Sequence, residues 1–139
     1  KTAVDRACNE AKALGAKRAL PLAVSAPFHS ALLKPAGDKL AVALAGLPIQ
    51  PPRIPIVNNI DVACESDPAR IVDALVRQSY GPVRWVEVVR KLKSIGVTHL
   101  IEFGPGKVLA GLVPRIDKDL KASAVYDPAT LATALAEVG

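Results

Sequence analysis

The stretch Val97-Thr98-His99-Leu100-Ile101-Glu102-Phe103-Gly104-Pro105-Gly106-Lys107-Val108 carries the clearest structural signal in the sequence. Residues 97–103 form a short apolar run that is typical of a buried strand, and the glycines around Pro105 predict a tight turn. A helix is expected over Val108–Ile116, followed by a strand over Ala122–Tyr126 and a helix over Pro128–Val138. Strands that alternate with helices predict an α/β fold with a mainly parallel sheet.

On the N-terminal side of this unit, apolar residues at helical spacing predict four more helices. These helices are expected over Thr2–Gly15, Leu33–Leu47, Pro68–Tyr80 and Val83–Ile95. Asp67 ahead of Pro68 is typical of a helix start, because the carboxylate can cap free N–H groups and proline tolerates the first position. Two further strands are predicted: Arg18–Ser25 at a sheet edge, because it contains Pro21, and a short buried strand over Ile54–Val57.

The composition fits one compact domain or a large piece of one. The chain has 139 residues, of which 50% are hydrophobic and 22% are charged. No apolar run reaches the ~18 residues of a membrane helix, and no signal-peptide pattern opens the chain, so we expect a cytoplasmic protein without a membrane partner. The sequence contains no methionine, which suggests a processed start or a piece of a longer polypeptide.

Charge and cysteine usage narrow the expected partners. The net charge of +5 suits an acidic protein or a phosphate-bearing ligand. Nucleic acid is not expected, because the basic residues are scattered and only 4% of residues are aromatic, which leaves few rings for base stacking. Cys8 and Cys64 lie far apart outside any metal-binding spacing, so neither a disulfide framework nor a metal site is expected.

Few residues suggest chemistry by themselves. His29 follows the predicted strand Arg18–Ser25, a position that suits a catalytic base, although the residues alone favour a surface or capping histidine. His99 lies within a predicted strand and is expected to be structural. Asn58-Asn59 could direct amides into a cleft or form an ordinary turn.

The turn Gly104-Pro105-Gly106-Lys107 precedes a helix, where free N–H groups favour anions. It is not a Walker loop, because Val108 stands where serine or threonine is needed. Close packing of the helix on the sheet is the favoured role, and a nucleotide-binding domain remains the minor alternative.

Taken together and in order, many segments of the sequence resemble the malonyl-CoA:acyl carrier protein transacylase family. The resemblance covers nearly the whole chain. Its segments are Gly15–Leu22, the Ser-x-Pro-x-His pattern of Ser25–His29, Lys34-Pro35, Pro55–Val62, Ala74–Gln78 and Glu102–Leu109.

The resemblance implies the C-terminal part of an α/β-hydrolase-like acyltransferase core together with the end of a ferredoxin-like small subdomain. Residues 1–27 would end the small subdomain, and residues 28–139 would belong to the large one. The implied activity moves malonyl from coenzyme A to the phosphopantetheine thiol of acyl carrier protein in fatty acid synthesis. Malonyl-CoA is then a substrate, and no cofactor is implied.

The resemblance also assigns roles to residues. His29 matches the catalytic histidine of the family, and Gln78 matches the residue whose main-chain carbonyl orients it. Phe28, Asn58 and Asn59 are expected to contribute to substrate binding. The GxSxG elbow that presents the nucleophilic serine does not occur in this sequence, so we expect the N-terminal part of the enzyme to supply it, and this chain alone to be inactive.

Two alternatives remain open. The chain could be a non-catalytic module that binds a carrier protein or coenzyme A. Acyltransferase domains of fatty acid and polyketide synthases are also similar to it, although the short spacings look more like the discrete bacterial enzyme.

Overall fold

The computed structural model describes residues 2–138. Within that range the chain forms six α-helices and two β-strands. They are α1 (Thr2–Ala13), α2 (Lys34–Ala45), α3 (Pro68–Gln78), α4 (Trp85–Ser94), β1 (His99–Phe103), α5 (Val108–Ile116), β2 (Lys121–Val125) and α6 (Pro128–Val138), with a short 3-10 turn at Ala31–Leu33. All six predicted helices and the two C-terminal strands are therefore confirmed, with shifts of a few residues at their ends.

The strands β1 and β2 pair in parallel, with Leu100 opposite Ala122. Helix α5 connects them and contacts both strands, and α6 packs against β2. A parallel pair needs such a crossover, because the chain must return to the starting edge before the second strand can begin. The predicted α/β unit is thus formed, as a two-stranded sheet.

The core lies between α4, α5 and β2. Val89, Val113 and Leu120 form a buried cluster, against which Trp85 and Leu100 pack. The indole N–H of Trp85 is buried without a hydrogen-bond partner among the described residues. Most of the chain's large apolar side chains outside this cluster are at least partly exposed.

Local sequence signals set the ends of the helices. The Asp67 carboxylate accepts a hydrogen bond from the Arg70 N–H at 2.9 Å, which is the cap expected ahead of Pro68. After α4, Gly96 adopts a φ of +93°, a left-handed conformation in which glycine avoids the steric penalty of a Cβ atom. This residue turns the chain from α4 towards β1.

Two predicted strands are not formed. Arg18–Ser25 contains no strand, and its apolar side chains Leu20, Leu22 and Val24 are 62%, 82% and 69% exposed. Ile54 and Ile56 are also exposed, and Val57 makes only a single antiparallel bridge to Cys64. The predictions were wrong here because an apolar segment becomes a strand only beside a partner strand, and among residues 2–138 neither segment has one beyond the single bridge between Val57 and Cys64.

A search of residues 2–138 for helices with the length and apolar character needed to cross a membrane finds none.

Candidate active site

The candidate site is built around His29, in the loop that leads into α2. His29 has a φ of +56°, which places it in the left-handed region. This conformation costs a non-glycine residue about 1 kcal/mol or more, and such outliers concentrate at functional sites. The next residue helps to fix the loop, because the Ser30 hydroxyl donates a hydrogen bond to the Pro27 carbonyl at 2.7 Å.

The ring of His29 is oriented by the main chain. Its Nδ1 lies 3.2 Å from the carbonyl oxygen of Gly81, in the turn that follows α3. Because a carbonyl can only accept, a hydrogen bond here requires the proton on Nδ1. Nε2 of the neutral ring is then left with its lone pair, which is the form that can take a proton from a nucleophile.

Gln78 lies three residues before Gly81, at the end of α3, but its contact differs from the expected one. Its side-chain Oε1 accepts a hydrogen bond from the Asn59 N–H at 3.1 Å. The carbonyl beside His29 belongs to Gly81 instead, because the chain extends past the last turn of α3 before it approaches the ring. The described residues thus place the Gly81 carbonyl beside the ring, and the role expected for the Gln78 carbonyl stays a prediction.

Asn58 is engaged within its own loop. Its amide nitrogen donates to the Ala63 carbonyl at 3.1 Å, and its Oδ1 accepts from the Asp61 N–H at 2.7 Å. Both ends of this side chain are thus used in a turn, and the expectation that Asn58 binds substrate stays a prediction. Asn59 contributes its main chain, since its carbonyl accepts from the Arg84 N–H at 3.3 Å and its N–H contacts Gln78.

An ion pair ties the same loop to α3. Arg77 donates to both carboxylate oxygens of Asp61, at 2.9 and 2.6 Å, and to Asp73 at 2.7 Å. Hydrogen bonding by Arg77 holds the pKa of Asp61 below its ordinary value of 3.8, and the two carboxylates raise the pKa of Arg77. The loop 58–62 is thereby fastened to the end of α3 that precedes Gly81.

An apolar pocket of about 220 Å³ adjoins this region. Ile56, Ala74 and Leu75 line it together with the polar side chains of Asn58 and Gln78. His29 does not line the pocket, and Phe28 is a largely exposed neighbour of His29. The structure therefore brings Asn58, Asn59 and Gln78 together and places His29 against the adjoining turn.

The turn Gly104–Lys107 serves packing. The Glu102 carboxylate, at the end of β1, accepts a hydrogen bond from the Ala110 N–H in the first turn of α5 at 2.8 Å. A carboxylate of the chain itself thus occupies a position that an incoming phosphate would use. The packing role is favoured, as the sequence suggested, and the nucleotide-binding alternative loses its main support.

His99 lies within β1, and its Nε2 is 2.8 Å from the Ser123 hydroxyl of β2. A contact between paired strands agrees with the structural role expected for it. In the part of the chain that the structure describes, no group of three or more His, Cys, Asp or Glu residues could hold a metal ion.

Three contributors were missed by sequence reasoning. They are the Gly81 carbonyl, the Glu102 cap and the Arg77–Asp61 pair, and neither of the last two has a spacing that signals it. Gly81 had one available signal, since a glycine directly after a helix often accompanies a close approach of the main chain.

Comparison with solved structures defines the class of protein. The chain superimposes with a TM-score of 0.91 on an acyl-carrier-protein S-malonyltransferase from Burkholderia pseudomallei, at 62% identity, over 98% of this chain and 44% of that one. A malonyl-transacylase in complex with a type II PKS acyl-carrier protein gives a TM-score of 0.92 at 55% identity, over 99% and 44% of the two chains. The chain therefore shares its fold with part of these malonyl-transferring enzymes.

The curated relatives share one name. The malonyl CoA-acyl carrier protein transacylase of Salmonella typhimurium is 57% identical over 137 residues, 99% of this chain and 44% of the relative. That of Bacillus subtilis is 46% identical over 132 residues, 95% of this chain and 42% of the relative. The chain is similar to the C-terminal part of the malonyl CoA-acyl carrier protein transacylases and spans less than half the length of these relatives. No family model matches it.

Proposed function

We propose that this chain supplies the catalytic histidine, His29, of a malonyltransferase. The enzyme would move malonyl from coenzyme A to the phosphopantetheine thiol of acyl carrier protein. The observation that carries the proposal is the contact between His29 Nδ1 and the Gly81 carbonyl, which leaves Nε2 as the base. A carbonyl fixes the tautomer as an aspartate would, without adding negative charge.

The proposed reaction has two balanced steps. First, His29 Nε2 takes the proton from a serine hydroxyl as the serine oxygen attacks the malonyl thioester, and the same proton then leaves on the coenzyme A sulfur. The result is a malonyl-serine ester. Second, His29 deprotonates the phosphopantetheine thiol, whose sulfur attacks the ester, and the serine oxygen recovers the proton.

The serine in this proposal comes from the N-terminal part of the enzyme. None of the serines in this sequence lies in a GxSxG elbow. We therefore expect the chain to be inactive by itself and active when joined with that part. Its own contribution is to hold His29 and to keep the Gly81 turn in place.

A division of the chain into subdomains is part of the proposal. Residues 1–27 would end a ferredoxin-like small subdomain, and residues 28–139 would belong to the α/β-hydrolase-like large one. In support, α1 buries none of its residues, and alternate apolar side chains of Arg18–Ser25 are exposed. Such surfaces are typical of segments that pack against additional chain.

Acyl carrier protein is the proposed macromolecular partner. A net charge of +5 suits an acidic protein, and one structural relative is recorded in complex with an acyl-carrier protein. Phe28 and Asn59 remain candidates for contact with substrate. A cytoplasmic location accompanies this proposal, since its substrates are those of fatty acid synthesis.

The decisive experiment joins this chain to the N-terminal part of the Burkholderia pseudomallei relative and follows malonyl transfer from malonyl-CoA to holo acyl carrier protein. His29→Ala should lower the rate by roughly 10²–10⁴-fold, the usual contribution of a general base. His99→Gln, a change at the other histidine of the sequence, is the matched control and should retain activity. Full activity of the His29→Ala protein would refute the assignment.

The second candidate, a non-catalytic module that binds carrier protein or coenzyme A, is favoured by the same positive charge. Titration of the isolated chain with each ligand tests it. Tight binding, combined with an active His29→Ala hybrid, would favour the module over the enzyme.

A further inference from the structure

Helix α2 and the turn after α3 meet at Gly37, which is buried. A Cβ atom at this position would lie 2.8 Å from Cδ1 of the Tyr80 ring and 2.9 Å from the Ser79 hydroxyl oxygen. Ordinary van der Waals contacts begin near 3.4 Å, so a side chain there would displace the Tyr80 ring and the Ser79 hydroxyl of the turn, or the helix itself. Only glycine allows this approach without displacement.

The contact joins the two segments that carry the His29 hydrogen bond. Gly37 lies in the helix that follows the His29 loop, and Tyr80 directly precedes Gly81. The Gly81 carbonyl and His29 Nδ1 are 3.2 Å apart. The same two segments are therefore connected twice, once by the Tyr80 ring resting on Gly37 and once by the hydrogen bond.

The turn is also confined at Gly81 itself. A Cβ atom built on Gly81 would lie 2.2 Å from Cδ1 of Ile60, so that side chain packs directly against the turn. The Ser79 hydroxyl is held by the Val76 carbonyl at 2.7 Å. The packing around the turn therefore leaves little space to absorb a displacement that starts at Gly37 of α2.

From this geometry we infer that Gly37 is a positioning residue, which sets the distance between the Gly81 carbonyl and His29 through Tyr80. The inference rests on the proposed role of His29. The hydrogen bond has little margin, because 3.2 Å is already at the long end of the ordinary N–H···O range of ~2.7–3.2 Å. Relieving a 2.8 Å contact to 3.4 Å requires a displacement of about 0.6 Å, and passing it on from Tyr80 to the adjoining Gly81 carbonyl, away from His29, would take the hydrogen bond out of that range.

The primary test reads the tautomer of His29 directly. The chain is labelled with 15N-histidine, and the ring nitrogen shifts are compared for Gly37→Val, for Gly46→Val and for the unchanged chain. Gly46 is the matched control, because it caps the same helix and a Cβ there meets no atom within 4 Å.

We expect the Nδ1–H tautomer in the unchanged chain and in Gly46→Val, and a shift towards the Nε2–H tautomer in Gly37→Val. In the hybrid with the N-terminal part, Gly37→Val should lower kcat about 10- to 100-fold, as expected for a misplaced catalytic group, with KM for malonyl-CoA unchanged. A folded Gly37→Val protein whose His29 tautomer matches the control would overturn the inference.

Should Gly37→Val fail to fold, Gly37→Ala introduces the smaller side chain, and the same tautomer comparison decides. The result is separate from the test of function. The tautomer is measured without turnover, whereas the proposed function fails only if His29→Ala leaves malonyl transfer intact.

Discussion

His29 and Gly81 are separated by 52 residues in sequence, yet the ring nitrogen of one lies 3.2 Å from the carbonyl oxygen of the other. The left-handed backbone at His29 presents the ring, and the turn after α3 presents the acceptor. Each half of this pair is held by its own set of local contacts. Variants that loosen either half should therefore affect the protein in measurable ways.

Replacing Gln78 by leucine should destabilise the fold. The change leaves the partly buried Asn59 N–H without its acceptor, which costs roughly 1–2 kcal/mol. The free energy of unfolding in urea measures this loss. Gln78→Glu keeps an acceptor oxygen and should lie closer to the unchanged chain, so equal stabilities of the two variants would contradict the assigned contact.

The Arg77–Asp61 pair should make stability depend on acid pH. Because Arg77 lowers the pKa of Asp61 below 3.8, the folded protein binds this proton less readily than the unfolded chain does. The pair thus stabilises fully above that value, and its contribution disappears as pH falls through the lower pKa of the folded state.

Thermal melting of Asp61→Asn against the unchanged chain tests this sign. The difference in Tm should be largest near neutral pH, should shrink in acid, and should be reduced by ~1 M salt, which screens exposed charges. Glu10→Gln, at an exposed carboxylate of α1, controls for the loss of one negative charge. A Tm difference that persists unchanged at the lowest pH would argue against the pair.

Shortening the buried side chain of Val89 should lower the free energy of unfolding. Val89 is 0% exposed, and Val89→Ala removes two methyl groups and leaves a cavity, which together cost about 2–3 kcal/mol. On the same helix, Val86 is 44% exposed, and Val86→Ala should change the unfolding free energy by no more than about 0.5 kcal/mol. Similar losses at both positions would contradict the described core.

Gly96→Ala should isolate the cost of backbone conformation. The residue has a φ of +93°, and an added Cβ meets no atom within 4 Å, so the expected loss of roughly 1–2 kcal/mol comes from strain alone. Gly106→Ala is the comparison, because a Cβ there is equally free of contacts and no left-handed φ is required. Chemical denaturation of the two variants should separate them.

The parts of the fold that sequence predicts well are those whose contacts are local. β1, α5 and β2 are consecutive in sequence and contact one another, so the apolar pattern of this one stretch is enough to predict the unit. The Asp67 cap is likewise decided within three residues. Arg18–Ser25 and Ile54–Val57 have comparable apolar character, but strand formation depends on a distant partner that a local pattern does not reveal.

The site was predicted unevenly for the same reason. The position of His29 in a loop beside α2 follows from the sequence, whereas its acceptor depends on how α2 packs against α3. The resemblance to a known family points to the Gln78 carbonyl, which stays a prediction, and the structure places the Gly81 carbonyl, three residues further on, beside the ring. A main-chain acceptor cannot be recognised from the type of its residue, because every residue carries the same carbonyl.

Trp85 gives this protein a built-in optical probe. It is the single tryptophan of the sequence, and its ring packs against the cluster of Val89, Val113 and Leu120. Its buried indole N–H has no hydrogen-bond partner within residues 2–138. Indole emission responds to the polarity around the ring, so a fluorescence unfolding curve reports on this C-terminal cluster specifically. Helical circular dichroism also includes α1 and α2, and any difference between the two midpoints would separate the melting of these regions without a label.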